Sequence, residues 1–227
     1  MNANVAGDGV ETIEIETRPS PSHSIIWLHG LGADGNDFVP VVEQLTLPNL
    51  GIRFIFPHAP MMPVTINGGF VMRAWYDILD TGLARREEDE RGLRASQHKI
   101  EALLGREAGR GVPPARVVIA GFSQGGAIAL QTGLRYPHKL AGIMVLSGYL
   151  PLMSTLSQER SAVNQATPIF MGHGTLDNVV PASLGIASRE RLTEAGYSVE
   201  WHDYPMVHSV CDQELADVSA WLSEVLL

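Results

Sequence analysis

Ser123 is flanked by a glycine two positions away on each side, in the sequence G-F-S-Q-G over residues 121–125. The apolar run at 116–120 predicts a short buried strand before this motif, and the residues from 126 onward have a helical pattern. G-x-S-x-G between a strand and a helix is typical of a sharp turn that exposes the serine oxygen for nucleophilic attack. The glycines avoid clashes that a Cβ would cause there. Because the motif is short, its interpretation depends on the other residues of the site.

A base and an acid must accompany this serine. A hydroxyl becomes a good nucleophile only when a base takes its proton and an acid orients that base. With this type of turn, the order along the chain is serine, then acid, then histidine. The histidines that follow Ser123 are His138, His173, His202 and His208.

His208 is the predicted base, because it follows the last predicted strand and precedes the last predicted helix. Ligands of open parallel sheets bind at the carboxyl ends of the strands, where this loop must lie. His202 is the alternative, but it falls inside the strand, where a structural role is expected. His138 comes at the end of a helix and is interpreted as a surface residue.

Asp177 is the predicted acid. It follows the predicted strand at 168–171 and so also lies in a loop at a carboxyl end of the sheet. The alternatives are Asp203, which lies within a strand, and Asp212, which is expected to cap the last helix. Asp177 could also have the purely structural role of a loop cap, and the catalytic interpretation is favoured over it.

A site for acyl transfer also needs hydrogen-bond donors for the negative oxygen that develops during the reaction. One predicted donor is the backbone N–H of Gln124, the residue after the serine. The other is the N–H of Leu31, in the sequence H-G-L-G at 29–32 that follows an early strand. These two N–H groups form the predicted oxyanion hole.

The sequence predicts no metal ion and no other cofactor. His29 lies near Asp34 and Asp37, but the spacing matches no common zinc or calcium pattern, so a structural role is expected for His29. Cys211 is the only cysteine, and no turn of the nucleophile type surrounds it. A single cysteine favours a reducing compartment, and we predict a cytoplasmic location.

Charge limits the classes of partner. The chain has 16 basic and 25 acidic residues, a net charge of −9, which argues against nucleic acid and anionic membrane surfaces as partners. The first 16 residues have no Lys or Arg, unlike a secretory signal, and no apolar run is long enough to span a membrane. We predict a flexible N-terminus at 1–10 and a single domain at 11–227.

Short apolar runs alternate with amphipathic segments along the chain. Strands are predicted at 11–17, 25–28, 53–56, 116–120, 142–146, 168–171 and 197–204, and helices at 37–45, 88–108, 126–136, 182–194 and 212–226. The first of these helices should be capped by Asn36 or Asp37. The alternation predicts an α/β fold, with a mostly parallel central sheet and helices on both faces. The segment at 147–167 is too short for a cap domain, so an open site is expected.

Several motifs together carry a family resemblance. They are H-G-L-G-A at 29–33, R-A-W-Y-D at 73–77, G-F-S-Q-G-G at 121–126, L-S-G-Y at 146–149, D-N-V-V-P at 177–181, and His208. In this order they resemble the carboxylesterase/acyl-protein thioesterase family of small α/β-hydrolases, also called the phospholipase/carboxylesterase family. The resemblance runs from about residue 24 to the end of the chain. N-G-G at 67–69 looks most like the bacterial carboxylesterase branch.

The resemblance implies an α/β-hydrolase fold, with Ser123, Asp177 and His208 as a catalytic triad and Leu31 and Gln124 as the oxyanion hole. It implies a serine carboxylesterase that hydrolyses short to medium acyl esters through an acyl-enzyme. An acyl-protein thioesterase or lysophospholipase is the alternative, and a catalytically silent binding module is a third candidate. The substrate would be a small-molecule ester or thioester, and relatives are often homodimers.

Two apolar segments, at 60–66 and 150–153, could wall a groove for the acyl chain. They could equally be segments that cover the core. Both interpretations stay open at the level of sequence.

Overall fold

The computed structural model describes residues 4–5, 10–79 and 87–227. The strands are β1 (Asn4–Val5), β2 (Glu11–Glu16), β3 (His23–Leu28), β4 (Ile52–Pro57), β5 (Met61–Val64), β6 (Phe70–Arg73), β7 (Val117–Phe122), β8 (Gly142–Leu146), β9 (Ile169–Gly174) and β10 (Val199–Tyr204). The α-helices are α1 (Glu90–Gly109), α2 (Gln124–Gly133), α3 (Leu156–Glu159), α4 (Ala182–Glu194) and α5 (Asp212–Val225).

The central sheet has the strand order β1-β2-β4-β3-β7-β8-β9-β10 in the described part of the chain. β1 and β2 run antiparallel to their neighbours, and every pairing from β4 to β10 is parallel. The predicted mostly parallel sheet is therefore confirmed. Strands such as β7 and β8 are apolar throughout because both faces of the sheet are covered.

Helices cover the two faces of the sheet, as predicted. On one face, α1, α2 and α4 contribute buried residues such as Ile100, Ile128 and Leu192 to one apolar cluster. On the other face, α5 packs Leu215 and Val218 against a second cluster. The carboxyl ends of the parallel strands are left for the loops that carry the candidate site.

The predicted helix at 37–45 is instead a 3₁₀ helix over Val39–Gln44. Neither predicted cap, Asn36 or Asp37, caps it, because its N-cap residue is Phe38 and no side chain bonds the helix end. The Asn36 N–H instead donates to Asp34 Oδ1 at 2.7 Å, which closes a local turn before the helix begins.

The expected cap of the last helix was also wrong. Cys211 occupies the N-cap position of α5, and Asp212 is the first residue of the helix. A carboxylate in the first turn still interacts favourably with the helix dipole, so the acidic residue has an electrostatic reason to be there.

A hairpin of β5 and β6 was not predicted, since residues 60–66 were interpreted as an apolar loop. The strands pair antiparallel outside the central sheet, and the turn between them contains Gly68 and Gly69 at φ of 66° and 78°. Glycine adopts these positive φ values without steric cost. The hairpin is tied to the body of the protein where the Gly32 N–H donates to the Arg73 carbonyl at 2.8 Å.

Between β8 and β9 the described chain forms only α3 and the 3₁₀ turn Ala162–Asn164, so no cap domain is inserted there, as predicted. Leu150 and Leu152 are buried in the core, which favours the core-covering interpretation of 150–153.

At the N-terminus, β1 pairs with β2 and Val10 is buried in the core, while the remaining residues of 1–10 lie outside the described part. The division into 1–10 and 11–227 stays a prediction. Among the described residues, no helix has both the length and the apolar character needed to cross a membrane.

Candidate active site

Ser123 is placed by a sharp turn between β7 and α2. Its backbone has φ 55° and ψ −119°, a conformation that residues other than glycine rarely adopt. The Ser123 N–H donates to the Leu146 carbonyl of β8 at 2.8 Å, and its carbonyl accepts from the Ala127 N–H at 3.1 Å. Hydrogen bonds on both sides hold this unfavourable conformation, as is common for residues at reactive sites.

The two glycines of the motif are required by close backbone contacts. A Cβ on Gly121 would lie 2.3 Å from the carbonyl carbon of Gly125, and a Cβ on Gly125 would lie 2.4 Å from the Leu28 oxygen. Both distances are far below a normal contact. The first turn of α2 therefore packs directly on the ends of β3 and β7, and only glycine fits at these positions.

The structure brings Ser123, His208 and Asp177 into one chain of hydrogen bonds. His208 Nε2 lies 2.9 Å from Ser123 Oγ, and His208 Nδ1 lies 2.6 Å from Asp177 Oδ2. The carboxylate can only accept, so Nδ1 carries the proton and Nε2 is the acceptor for the serine hydroxyl. This arrangement can remove the Ser123 proton when the oxygen attacks.

Asp177 is also the loop cap that the sequence left as an alternative. Its Oδ1 accepts from the N–H groups of Val179 and Val180, both at 2.9 Å, while Oδ2 faces His208. Its side chain is fully buried. The two functions are compatible because each oxygen of the carboxylate serves one of them.

The loops that carry the acid and the base are bonded to each other. The Thr175 N–H donates to the Tyr204 carbonyl at 2.8 Å, and the Leu176 N–H donates to the Met206 carbonyl at 3.0 Å. The Phe122 ring lies beside the His208 ring, with centroids 4.7 Å apart. These contacts fix the imidazole relative to both of its partners.

The rival residues lie elsewhere. His202 faces Glu200 and Asp217 on β10 and α5, and its ring stacks on Phe170. Asp203 and His138 are exposed. None of the three is part of the chain of hydrogen bonds at Ser123.

The two predicted oxyanion donors adjoin Ser123. Helix α2 begins at Gln124, so the N–H of this residue has no acceptor within the helix. The loop with Leu31 packs on the turn, since a Cβ on Gly30 would lie 3.4 Å from the Ser123 Cβ. Among the described residues, the Leu31 N–H donates to no backbone oxygen. The oxyanion hole of Leu31 and Gln124 stays a prediction.

The side chain of Gln124 has a structural function that the sequence did not predict. Its Oε1 accepts from the Trp75 N–H at 2.8 Å, and its Nε2 donates to the Tyr76 carbonyl at 2.7 Å. The R-A-W-Y-D segment at 73–77 is thereby attached to the start of α2. No local sequence pattern signals such a contact, because the residues are far apart along the chain.

His29 supports the loop through its ring. Its Nδ1–H donates to the Gly30 carbonyl at 2.7 Å, and its Nε2 accepts from the Ala59 N–H at 3.0 Å. Burial lowers the pKa of His29 to about 4, so the ring is neutral at physiological pH. Both ring nitrogens are used, which agrees with the expected structural role.

Comparison with known proteins identifies the family. The model of the phospholipase/carboxylesterase family matches residues 10–226. Acyl-protein thioesterase 1 of Neurospora crassa is 42% identical over 212 residues, which cover 89% of this chain and 86% of the relative. The chain belongs to the phospholipase/carboxylesterase family, and it is a serine hydrolase of the α/β-hydrolase fold.

Solved structures agree with this assignment. The crystal structure of Arabidopsis thaliana SOBER1 has a TM-score of 0.85 and 35% identity, and the match covers 90% of this chain and 99% of that one. Zea mays acyl-protein thioesterase 2 has a TM-score of 0.82 and 32% identity, with 95% and 99% covered. The predicted family and fold are confirmed, whereas the finer likeness to the bacterial branch stays a prediction.

Proposed function

We propose that this protein is an acyl-protein thioesterase that hydrolyses the bond between a fatty-acyl group and a protein cysteine. The hydrogen-bonded chain of Ser123, His208 and Asp177 carries the catalytic part of this proposal. The similarity to acyl-protein thioesterase 1 of Neurospora crassa supports the thioester part. This was the alternative function at the level of sequence, and the named relatives favour it over the carboxylesterase prediction.

The reaction proceeds in two steps. His208 Nε2 takes the Ser123 proton as Oγ attacks the thioester carbonyl, and the N–H groups of Leu31 and Gln124 bind the negative oxygen. The cysteine sulfur leaves with the proton from His208, which produces the free thiol and an acyl-serine. A water molecule, deprotonated by His208, then attacks this ester and releases the fatty acid and Ser123.

Exposed apolar side chains near the site support a fatty-acyl substrate. Leu176 and Val179, on either side of Asp177, are each 63% exposed, and Val207 beside His208 is 54% exposed. An exposed apolar surface beside a reactive serine can bind an apolar ligand, so these side chains are suited to an acyl chain.

Hydrolysis of short to medium oxygen esters is the second candidate. The family includes carboxylesterases, and the described chain has no cap domain over the site that would limit access. The same three residues would catalyse it. A catalytically silent binding module is disfavoured, because such a protein has no need to keep the hydrogen bonds at Ser123.

The test compares an S-palmitoylated peptide with the matching O-palmitoylated serine peptide and with p-nitrophenyl acetate, butyrate and palmitate. We expect a higher kcat/KM for the thioester peptide than for the oxygen ester. Ser123→Ala should lower kcat by at least about 10⁴-fold without loss of folding, since it removes the nucleophile. The matched control is Ser157→Ala, an exposed serine in α3, which should keep full activity.

The outcomes separate the candidates. Turnover of p-nitrophenyl butyrate without turnover of the S-palmitoylated peptide would replace the thioesterase proposal with the carboxylesterase. Full activity of purified Ser123→Ala would overturn the triad assignment. A folded wild type inactive on every substrate would favour the binding module. A homodimer and a cytoplasmic location stay predictions.

A further inference from the structure

A second histidine lies behind the acid of the candidate site. His173, near the end of β9, has 1% of its surface exposed, and its Nε2 lies 2.8 Å from the carbonyl oxygen of Val180. A carbonyl oxygen only accepts, so Nε2 carries the proton and donates. The same Nε2 lies 3.5 Å from Asp177 Oδ2, the oxygen that accepts from His208.

The contact with Val180 connects this histidine to the catalytic carboxylate. The Val180 N–H donates to Asp177 Oδ1 at 2.9 Å, while its carbonyl accepts from His173. One residue of the loop is thus held at both of its backbone groups. Any movement of its carbonyl away from the imidazole would also move a donor of the Asp177 carboxylate.

The surroundings fix the ring of His173 in one orientation and one protonation state. A Cβ on Gly185 would lie 2.6 Å from Nδ1, so α4 packs closely on the ring, and Trp201 stacks on it at a centroid distance of 6.1 Å. Nδ1 is buried and has no hydrogen-bond partner among the described residues. Burial lowers the pKa of His173, because the charged ring would be removed from water.

We propose that His173 is a positioning residue of the active site. Its Nε2–H holds the Val180 carbonyl and thereby keeps the Asp177 carboxylate in position to accept from His208. It touches neither Ser123 nor the substrate, and it acts by fixing the orientation of the carboxylate. This inference rests on the proposed function only in treating Asp177, His208 and Ser123 as the reacting unit. It holds for an oxygen ester as well as for a thioester.

A pair of amide substitutions tests the proposal, because the two amides place their N–H groups differently. The amide nitrogen of glutamine can reach the position of Nε2, whereas that of the shorter asparagine corresponds to Nδ1. We expect His173→Asn to lower kcat by about 10- to 100-fold with little change in KM, as small misplacements of catalytic groups do. His173→Gln should restore most of the loss.

Measurements that need no turnover complete the test. The proton between His208 Nδ1 and Asp177, which are 2.6 Å apart, should give a far-downfield proton NMR signal in the wild type. We expect this signal to weaken or shift in His173→Asn and to persist in His173→Gln. Near-UV circular dichroism and thermal unfolding verify that each variant is folded. If neither variant folds, Gly185→Ala, which pushes on Nδ1, should reproduce the kcat loss and the change in the NMR signal.

The results that would overturn the proposal are specific. Equal kcat values for wild type and folded His173→Asn, or equal losses in the Asn and Gln variants with an unchanged NMR signal, would reduce His173 to a packing residue. An unchanged signal and kcat in Gly185→Ala would do the same. An inactive wild type would instead refute the proposed function, and the NMR signal would still report on His173.

Discussion

Gln124 serves the candidate site through two different groups. Its backbone N–H lies at the start of α2 and is the proposed donor to the oxyanion, and its side chain bridges the Trp75 N–H and the Tyr76 carbonyl. Trp75 is further held where its Nε1–H donates to the His29 carbonyl at 2.9 Å. One residue therefore links the serine turn to the loop that carries Leu31.

Replacing this side chain should affect stability more than chemistry. Gln124→Ala removes two buried hydrogen bonds, so we expect the free energy of unfolding to fall by about 2 kcal/mol. The backbone N–H remains, and kcat should fall much less than in Ser123→Ala. Urea denaturation and initial rates on p-nitrophenyl butyrate measure the two effects.

A matched control lies on the same helix. Gln131 is buried, and within the described part of the chain its side chain donates one hydrogen bond, to Gln97 at 2.9 Å. Gln131→Ala should also destabilise the protein but leave kcat unchanged, because the hydrogen bond that it removes is to Gln97 and not to the segment at 73–77. A loss of kcat in Gln131→Ala as large as in Gln124→Ala would show that general destabilisation accounts for both.

At the scale of elements, α1 is attached to the sheet by buried charges. Glu107, fully buried near the end of α1, accepts from Arg53 of β4 at 2.7 Å and from Ser24 of β3 at 2.6 Å. Arg53 is itself buried. These contacts lie at the amino ends of β3 and β4, at the opposite end of the strands from Ser123. They contribute to the position of α1 without entering the chemistry.

Removing the charge of Glu107 should therefore lower the free energy of unfolding without changing kcat. Glu107→Gln breaks the buried ion pair with Arg53, and loss of a buried partner typically costs about 3–5 kcal/mol. Arg53 keeps its second partner, Glu16, at 2.9 Å, so we expect a cost at the lower end of this range. We expect a large fall in the urea midpoint, with kcat unchanged at temperatures where the variant is folded. Glu90→Gln is the control, since Glu90 pairs with Arg94 at the exposed start of the same helix. That change should cost less than about 1 kcal/mol, and equal costs would contradict this view of α1.

The elements that sequence predicted well are those with a local signal. The serine turn has its glycines, and α4 has the same bounds as predicted because Pro181 and Gly196 delimit it. Asp177 and His208 were predicted from the order of the strands, since the carboxyl ends of parallel strands meet at one edge, and the structure brings both residues to Ser123. The serine turn and α4 are thus predicted from a few neighbouring residues, and the acid and the base from the order of the strands along the chain.

The remainder depends on contacts between distant residues. The strands of the β5–β6 hairpin pair with each other outside the central sheet. Some of their apolar side chains are exposed, and the sequence of β5 shows no alternation of apolar and polar residues, so the segment resembles a loop. The side chain of Gln124 contacts Trp75, and that of His173 contacts Val180. Neither contact produces a periodic pattern in the sequence. Such contacts become visible only when the folded loops are in place.

At the scale of the whole molecule, Glu214 on α5 is a buried titratable group that makes stability depend on pH. Its carboxyl group is fully buried against β9, where a Cβ on Gly172 would lie 2.2 Å from Oε1. Neither oxygen has a hydrogen-bond partner among the described residues. Burial, and then the negative charge of Asp217, raise the pKa of Glu214 from 4.5 to about 8.

This raised pKa should make the stability of the protein depend on pH. Between about pH 4.5 and pH 8 the unfolded chain loses the Glu214 proton while the native protein keeps it, so stability falls as pH rises, by up to about 1.4 kcal/mol per pH unit. Below this window the contribution is fully present, and above it the loss is complete. Glu214→Gln cannot titrate, so urea denaturation at pH 5, 6.5 and 8 should show the variant gaining stability relative to wild type as pH rises. The control is Glu224→Gln, an exposed change on the same helix, whose stability should follow that of wild type at every pH. If the stability of Glu214→Gln instead varied with pH in parallel with wild type, Glu214 would already be ionised in the native state.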